Sequence, residues 1–233
     1  MTKQFLFIFS FLLMSQFVVA QNNINQFDVN GKRHGIWKKN FKLNNKLRYT
    51  GQFNHGKEVG VFKYYDINND EIPIVIRKFN DVDDFAEVSF FTKKGTLLSK
   101  GKMLGKERIG KWIFYQPDGK SVLSEEFYKE GLLDGEVKVY YTNGKITEIS
   151  HYLKGMLHGN YKRYAVRGFL YQDLTYNFGE LDGMAIYYER KNGVILTKGL
   201  FKNNKRVGTW EHYENGKLIS TDEPALKPDK TKN

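Results

Sequence analysis

The chain has 233 residues, a formal net charge of +11 and no cysteine. The lack of cysteine excludes disulfide bonds and lipid attachment to an N-terminal cysteine. A basic excess of this size attracts anionic surfaces.

The first twenty residues have the pattern of a secretory signal peptide. Lys3 precedes an apolar run at residues 5–14, and small residues precede a predicted cleavage between Ala20 and Gln21. The apolar run is too short to span a membrane core of about 30 Å. We therefore expect a periplasmic or secreted mature protein without a transmembrane segment, in which residues 21–30 form a short lead.

Residues 31–220 repeat one phrase. A glycine is followed two positions later by an aromatic or apolar residue and five positions later by Tyr or Phe, as in GKWIFY at 110–115. Successive copies are 24 or 25 residues apart except for one double step, which predicts a worn copy at Ala86. The residues predicted to be structural are Gly35, Trp37, Gly60, Phe62, Gly110, Trp112, Tyr115, Gly135, Tyr140, Gly159, Tyr161, Tyr164, Gly183, Tyr188, Gly208, Trp210 and Tyr213.

Each copy has the features of a β-hairpin. Asn-Gly or Asp-Gly turns such as TNGK (142–145) and PDGK (117–120) tolerate positive φ. The segments between turns are rich in aromatic and β-branched residues, which suit strands. The sequence therefore predicts an all-β fold, a meander of about eight hairpin repeats that form an elongated, twisted, single-sheet solenoid of some sixteen strands. Alternation along a strand predicts that the glycine+2 and glycine+5 columns point to opposite faces.

The first copy is strongly basic, whereas acidic residues gather between residues 66 and 87. A basic end of an elongated body attracts anionic envelope surfaces such as phospholipid. The alternative is that these cations only keep the sheet soluble and protect its edge. The candidate anionic-surface contacts are Lys32, Arg33, Lys38, Lys39, Lys42, Lys46 and Arg48.

The C-terminal segment, residues 221–233, is polar and is punctuated by proline. Such a segment buries too little apolar surface to offset the entropy of ordering. We predict a disordered tail.

The sequence offers no candidate catalytic, metal or cofactor site. His34 and His158 precede repeat glycines at a position where other copies carry Asp134 or Asp182, which indicates turn residues. No pair of histidines has the spacing of metal ligands, and the glycines lack the strand–glycine–helix context of a phosphate-binding loop. We predict a protein that is not an enzyme and that needs no cofactor.

The repeat phrase resembles the MORN-repeat variant found in many bacterial proteins. The resemblance rests on G-x-W-x-x-Y-x-x-[ND]-G-K, an apolar strand and [YF]-x-x-G-x-x-[DH]-G, and it covers residues 31–219. It implies a scaffold or membrane-proximal module. Proteins of this type are often labelled the antitoxin of a toxin–antitoxin pair.

The leading interpretation is a secreted scaffold that binds another protein or an anionic envelope surface. The alternative is binding of carbohydrate or an envelope polymer through an aromatic face. The glycine+2 slot varies through Phe62, Val137, Tyr161 and Ala185, which favours packing over a ligand column. An antitoxin-like partner ranks third because a signal peptide would separate the protein from a cytoplasmic toxin, and nucleic acid is not expected as a partner.

Overall fold

The computed structural model describes residues 24–80 and 82–224, which form one antiparallel sheet of eighteen strands. The strands are β1 Gln26–Phe27, β2 Arg33–Asn40, β3 Leu47–Asn54, β4 Lys57–Asp66, β5 Asn69–Phe79, β6 Phe85–Phe91, β7 Leu97–Leu104, β8 Glu107–Tyr115, β9 Val122–Lys129, β10 Leu132–Leu133, β11 Gly135–Tyr140, β12 Ile146–Leu153, β13 Met156–Tyr164, β14 Leu170–Asn177, β15 Glu180–Tyr188, β16 Ile195–Lys202, β17 Lys205–Glu214 and β18 Lys217–Asp222. The predicted signal peptide and residues 225–233 of the predicted tail lie outside the described residues.

The sheet is an open meander, because each strand except β10 pairs with the next one along the chain. Sixteen strands form the eight predicted hairpins, which confirms the all-β repeat fold. The other two are β1 and the two-residue β10. Both β10 and β11 pair with β9, on either side of Asp134.

Five of the seven repeat glycines lie in a β-bulge at the start of their copy. The seven glycines have φ between +60° and +126°, a region that residues with a Cβ adopt at a cost. At Gly110, Lys100 pairs with Ile113 and Lys102 with Ile109, so three residues of β8 lie opposite one residue of β7. The same insertion recurs at Gly60, Gly159, Gly183 and Gly208.

The worn copy lacks this bulge. Ala86 has no positive φ, and the pairs Phe79–Ala86 and Lys78–Glu87 continue without a register shift. The loss of the glycine therefore leaves β6 a regular strand, and the copy keeps its place in the sheet.

The core consists of rings that lie flat on the neighbouring strand. A Cβ added to Gly101 would lie 2.5 Å from the indole of Trp112, and Gly51 and Gly199 stand in the same relation to Phe62 and Trp210. Where the preceding strand carries a larger residue, Leu174, the slot opposite holds only Ala185. The residue at the glycine+2 position thus varies with its cross-strand neighbour: a large residue lies opposite a small one, and a small residue lies opposite a large one.

The lead segment covers the free edge of the first hairpin. The backbone N–H of Asn25 donates to Ile36 O at 2.8 Å, and Asn25 Oδ1 accepts from the backbone N–H of Lys38 at 2.8 Å. Phe27 packs edge-on against Trp37 with the ring centres 5.1 Å apart. At the other end, every residue of β18 is exposed.

The large–small pairs predict a compensating double substitution. Trp210→Ala should lower the free energy of unfolding by about 3–5 kcal/mol, and Gly199→Leu should lower it by about 1–3 kcal/mol or more through overpacking. The double variant recreates the Leu174–Ala185 pair, so its loss should be at least about 1 kcal/mol smaller than the sum of the single losses. Denaturant unfolding of the four proteins measures this coupling. Strict additivity would contradict the large–small pairing.

Candidate interaction surface

The sheet has two faces of different composition. The face that carries Trp37, Phe62, Trp112 and Trp210 is named the tryptophan face. The opposite face carries Lys38, Lys63, Lys100, Lys138, Lys162 and Lys198 and is named the lysine face. The assignment follows from strand alternation, since the residue after Trp112 is Ile113, the cross-strand partner of Lys100.

The three tryptophans are enclosed by the protein's own groups. Trp37, Trp112 and Trp210 are 7%, 0% and 3% exposed. A guanidinium group lies over each ring: Arg33 at 5.1 Å from Trp37, Arg108 at 4.8 Å from Trp112 and Arg206 at 4.0 Å from Trp210.

The indole N–H groups are also satisfied internally. Each Nε1–H donates to a backbone carbonyl, from Trp37 to Gln26 at 3.0 Å, from Trp112 to Lys102 at 3.0 Å and from Trp210 to Leu200 at 3.2 Å. These rings are packing groups, and neither their faces nor their donors are free for a ligand.

The glycine+5 rings lie on the lysine face, as the alternation predicted. Lys100 Nζ lies 5.7 Å from the centre of the Tyr115 ring, and Lys198 Nζ lies 5.6 Å from that of Tyr213. Tyr140 Oη donates to Glu125 at 3.2 Å. The glycine+5 rings Tyr65, Phe91, Tyr115, Tyr140, Tyr164, Tyr188 and Tyr213 are half-buried, so part of each remains open to solvent.

A single cross-strand row runs along the lysine face through all eight hairpins. Directly paired residues follow one another from β2 to β18, with one residue from each hairpin strand. The row is Lys38, Thr50, Lys63, Ile76, Ser89, Lys100, Ile113, Glu125, Lys138, Ile149, Lys162, Asp173, Ile186, Lys198, Glu211 and Thr221. Its β2–β8 part holds three lysines and no acid, and its remainder holds three lysines and three acids.

The acids neutralise the lysines from β9 onward. Lys162 Nζ lies 3.2 Å from Asp173, Lys198 Nζ lies 3.1 Å from Glu211, and Lys138 Nζ lies 2.6 Å from Glu136, which neighbours the row. A hydrogen bond with Glu136 raises the pKa of the Lys138 amino group. The hydrogen bond from Tyr213, followed by the one from Lys198, lowers the pKa of Glu211.

The lysines of the first half have no such partners. Lys38, Lys63 and Lys100 in the row are joined by the flanking Lys78 and Lys102, and all five are exposed. Among the residues that the structure describes, no carboxylate oxygen lies within 4.0 Å of these five amino groups. Glu87 stands between Lys78 and Lys102 as their cross-strand partner.

A groove of about 320 Å³ lies across β6, β7 and β8 of this basic half. Its lining includes Lys100, Lys102, Ser89 and Ile113, together with Lys111, whose amino group is 2.8 Å from Glu125. The hydrogen bond from Lys111 lowers the pKa of Glu125. The groove is shallow and open, with ammonium groups on β7 and β8 and the Glu87 carboxylate on β6.

The seven predicted anionic-surface residues do not form one cluster. Lys38 is separated by strand alternation from Lys39 and Arg33, and Arg33 lies over Trp37 and Phe53 on the tryptophan face. Arg48 is the unpaired residue of a β-bulge in β3. Lys32 and Lys42 precede and follow β2, and Lys46 Nζ donates to Asn68 O at 2.7 Å. Lys38 is the member of that set that stands in the row.

Sequence reasoning missed Lys63, Lys78, Lys100 and Lys102. Three of them stand far from the first copy in the sequence. Lys38 and Lys63 could have been grouped from the sequence, because each lies three residues after a repeat glycine. The connection with Lys100 needs the strand pairing, because Lys100 belongs to the second strand of its hairpin.

The histidines occupy structural positions. The rings of His34 and His55 lie 4.7 Å apart, and His55 Nδ1 is 2.6 Å from Asp28 Oδ2. Within residues 24–80 and 82–224, no group of three or more His, Asp or Glu side chains is placed to hold a metal ion. The same part of the chain contains no helix that is long and apolar enough to cross a membrane.

Comparison with known proteins adds no relationship. No family model matches the chain, and no curated protein matches it.

Buried phenol groups predict a loss of stability at alkaline pH. Burial raises the pKa of Tyr64, Tyr128, Tyr140, Tyr152, Tyr161, Tyr176, Tyr187 and Tyr188. A raised pKa in the folded state contributes stability that is complete below the unfolded value of about 10 and is lost as pH rises through the folded value. The Tm should therefore be level between about pH 7 and about pH 9 and should fall above about pH 10. Thermal unfolding across this range, with tyrosinate absorbance in parallel, checks it. Titration of all phenols near their ordinary pKa in the folded protein would contradict the prediction.

Proposed function

We propose that the protein is a non-enzymatic scaffold that binds macromolecules at the bacterial envelope through an extended sheet face. The observation that carries this proposal is the lysine face, on which one residue from each of sixteen strands forms a continuous row. The tryptophans of the opposite face are engaged in packing, so we place the partner on the lysine face. An open face of this kind suits a long or flat partner better than a small molecule, which binds in concave pockets.

Export and the repeat family belong to the same proposal. The sequence of residues 1–20 supports a cleaved signal peptide and a periplasmic or secreted protein. The glycine and aromatic columns support a MORN-like repeat array. An antitoxin-like role has less support, since export would separate the protein from a toxin in the cytoplasm.

The scaffold proposal is tested in the native host with a C-terminally tagged full chain. Cell fractionation should place the protein outside the cytoplasm with an intact mass that begins at Gln21. Cross-linking before envelope extraction should join it to a partner. A cytoplasmic protein that retains Met1, or an exported protein that remains uncross-linked, would contradict the proposal.

A further inference from the structure

We propose that the β2–β8 half of the lysine face binds a linear acidic polysaccharide, which lies across the strands and parallel to the cross-strand row. This inference rests on the proposed scaffold function and specifies the chemical class of its partner. It depends on three features of the described residues: the unpaired lysines, a ladder of rings beside them, and the neutral second half of the same face.

The charge of the first half indicates a polyanion. The amino groups of Lys38, Lys63, Lys78, Lys100 and Lys102 are exposed and have no described carboxylate within 4.0 Å. Edge protection does not account for them, because the lead segment covers the edge of β2 and the other four lysines lie on interior strands. A row of like charges across several strands fits a ligand that carries many negative charges along its length.

The rings beside the lysines indicate a sugar chain. Strand alternation places Tyr65, Phe91 and Tyr115 on the lysine face, each two residues beyond a member of the row. These rings stand on every second strand, about 9.6 Å apart. Each sugar of an extended 1,4-linked chain advances by about one strand spacing, so alternate sugars would meet a ring. The C–H groups of a sugar stack on the electron-rich face of an aromatic ring.

An aromatic ring and a lysine amino group of this face lie close enough together for one sugar unit to contact both. Two residues along a strand span about 6.7 Å, which separates the ring column from the lysine row. Lys100 Nζ lies 5.7 Å from the centre of the Tyr115 ring. A uronic acid stacked near Tyr115 would therefore place its carboxylate within reach of Lys100 and of the groove, where Lys102 and Ser89 lie beside Glu87.

The second half of the face is a built-in control. It has the same kind of hairpins and the rings Tyr140, Tyr164, Tyr188 and Tyr213, but its lysines Lys162 and Lys198 face Asp173 and Glu211 at 3.2 and 3.1 Å. We expect this half to contribute little to polyanion binding, because its ammonium groups are already paired.

The test uses the full chain and two polymers with the same backbone, polygalacturonate and its methyl ester. Isothermal titration should show binding to polygalacturonate that weakens as salt rises, since the Debye length shortens from about 10 Å at 0.1 M to about 3 Å at 1 M. The triple variant Lys63→Gln, Lys100→Gln, Lys102→Gln should weaken binding about tenfold. The control Lys138→Gln, Lys162→Gln, Lys198→Gln makes the same change in net charge and should weaken binding less than about threefold.

The ring contribution has its own matched pair. Tyr115→Leu should weaken polygalacturonate binding without changing its salt dependence, and Tyr188→Leu should leave binding unchanged. Thermal unfolding of each variant shows whether the fold is kept. The lysine variants alter exposed side chains, so they test the site even if a ring variant unfolds.

Several results would overturn the polysaccharide assignment. Equal weakening by the two triple variants would show attraction by net charge alone, and equal binding of the methyl ester would remove the lysines from recognition. Tighter binding to single-stranded DNA or to phosphatidylglycerol vesicles, lost in the first triple variant, would assign the surface to another partner class. Failure to bind polygalacturonate while the envelope cross-link persists would overturn this inference and leave the scaffold function standing.

Discussion

The structure depends on the way a sheet one layer thick buries its large rings. Residues 24–80 and 82–224 form a single layer, so a ring is covered only if it lies on the backbone of the next strand and is closed over by another side chain. Gly101 beneath Trp112 and Arg108 above it supply those two covers. Each covered ring joins two neighbouring hairpins, which explains how units that are marginal alone stabilise one another in an array.

This constraint acts on the tryptophan face and leaves the lysine face less restricted. The tryptophan face must keep a ring, a small partner and a covering group in register, and its arginines serve as covers: Arg33, Arg108 and Arg206 stand four residues before the tryptophans that they cover. The lysine face has no comparable packing demand, so its charges are not fixed by the fold. Lys100 lies exposed on a strand whose next residue, Gly101, lies beneath the Trp112 ring.

The sequence predicts the hairpin array well because its signals are local. Repeat glycines such as Gly110 mark strand starts, and the Asn-Gly and Asp-Gly turns mark hairpins. The sixteen hairpin strands and the worn copy at Ala86 therefore follow from spacing, whereas β1 and β10 do not. The large–small pairs and the basic half of the face depend on contacts between strands. Lys63 and Lys100 belong to one row only through three successive cross-strand pairings, by way of Ile76 and Ser89. Likewise, nothing local marks Asn25 as the residue that covers the edge of β2.

The cost of keeping an unpaired basic half is small in the free protein. Lysines on alternate strands, such as Lys38 and Lys63, stand about 9.6 Å apart at the backbone, which exceeds the Debye length of about 8 Å at physiological ionic strength. Their mutual repulsion is therefore largely screened, and exposed ion pairs of the kind found in the second half would stabilise the fold only slightly. A bound polyanion, in contrast, contacts several of these charges at once. The difference in charge pairing between the two halves therefore has little effect on the stability of the free protein. It has a large effect on the binding of a polyanion, as expected of a binding surface.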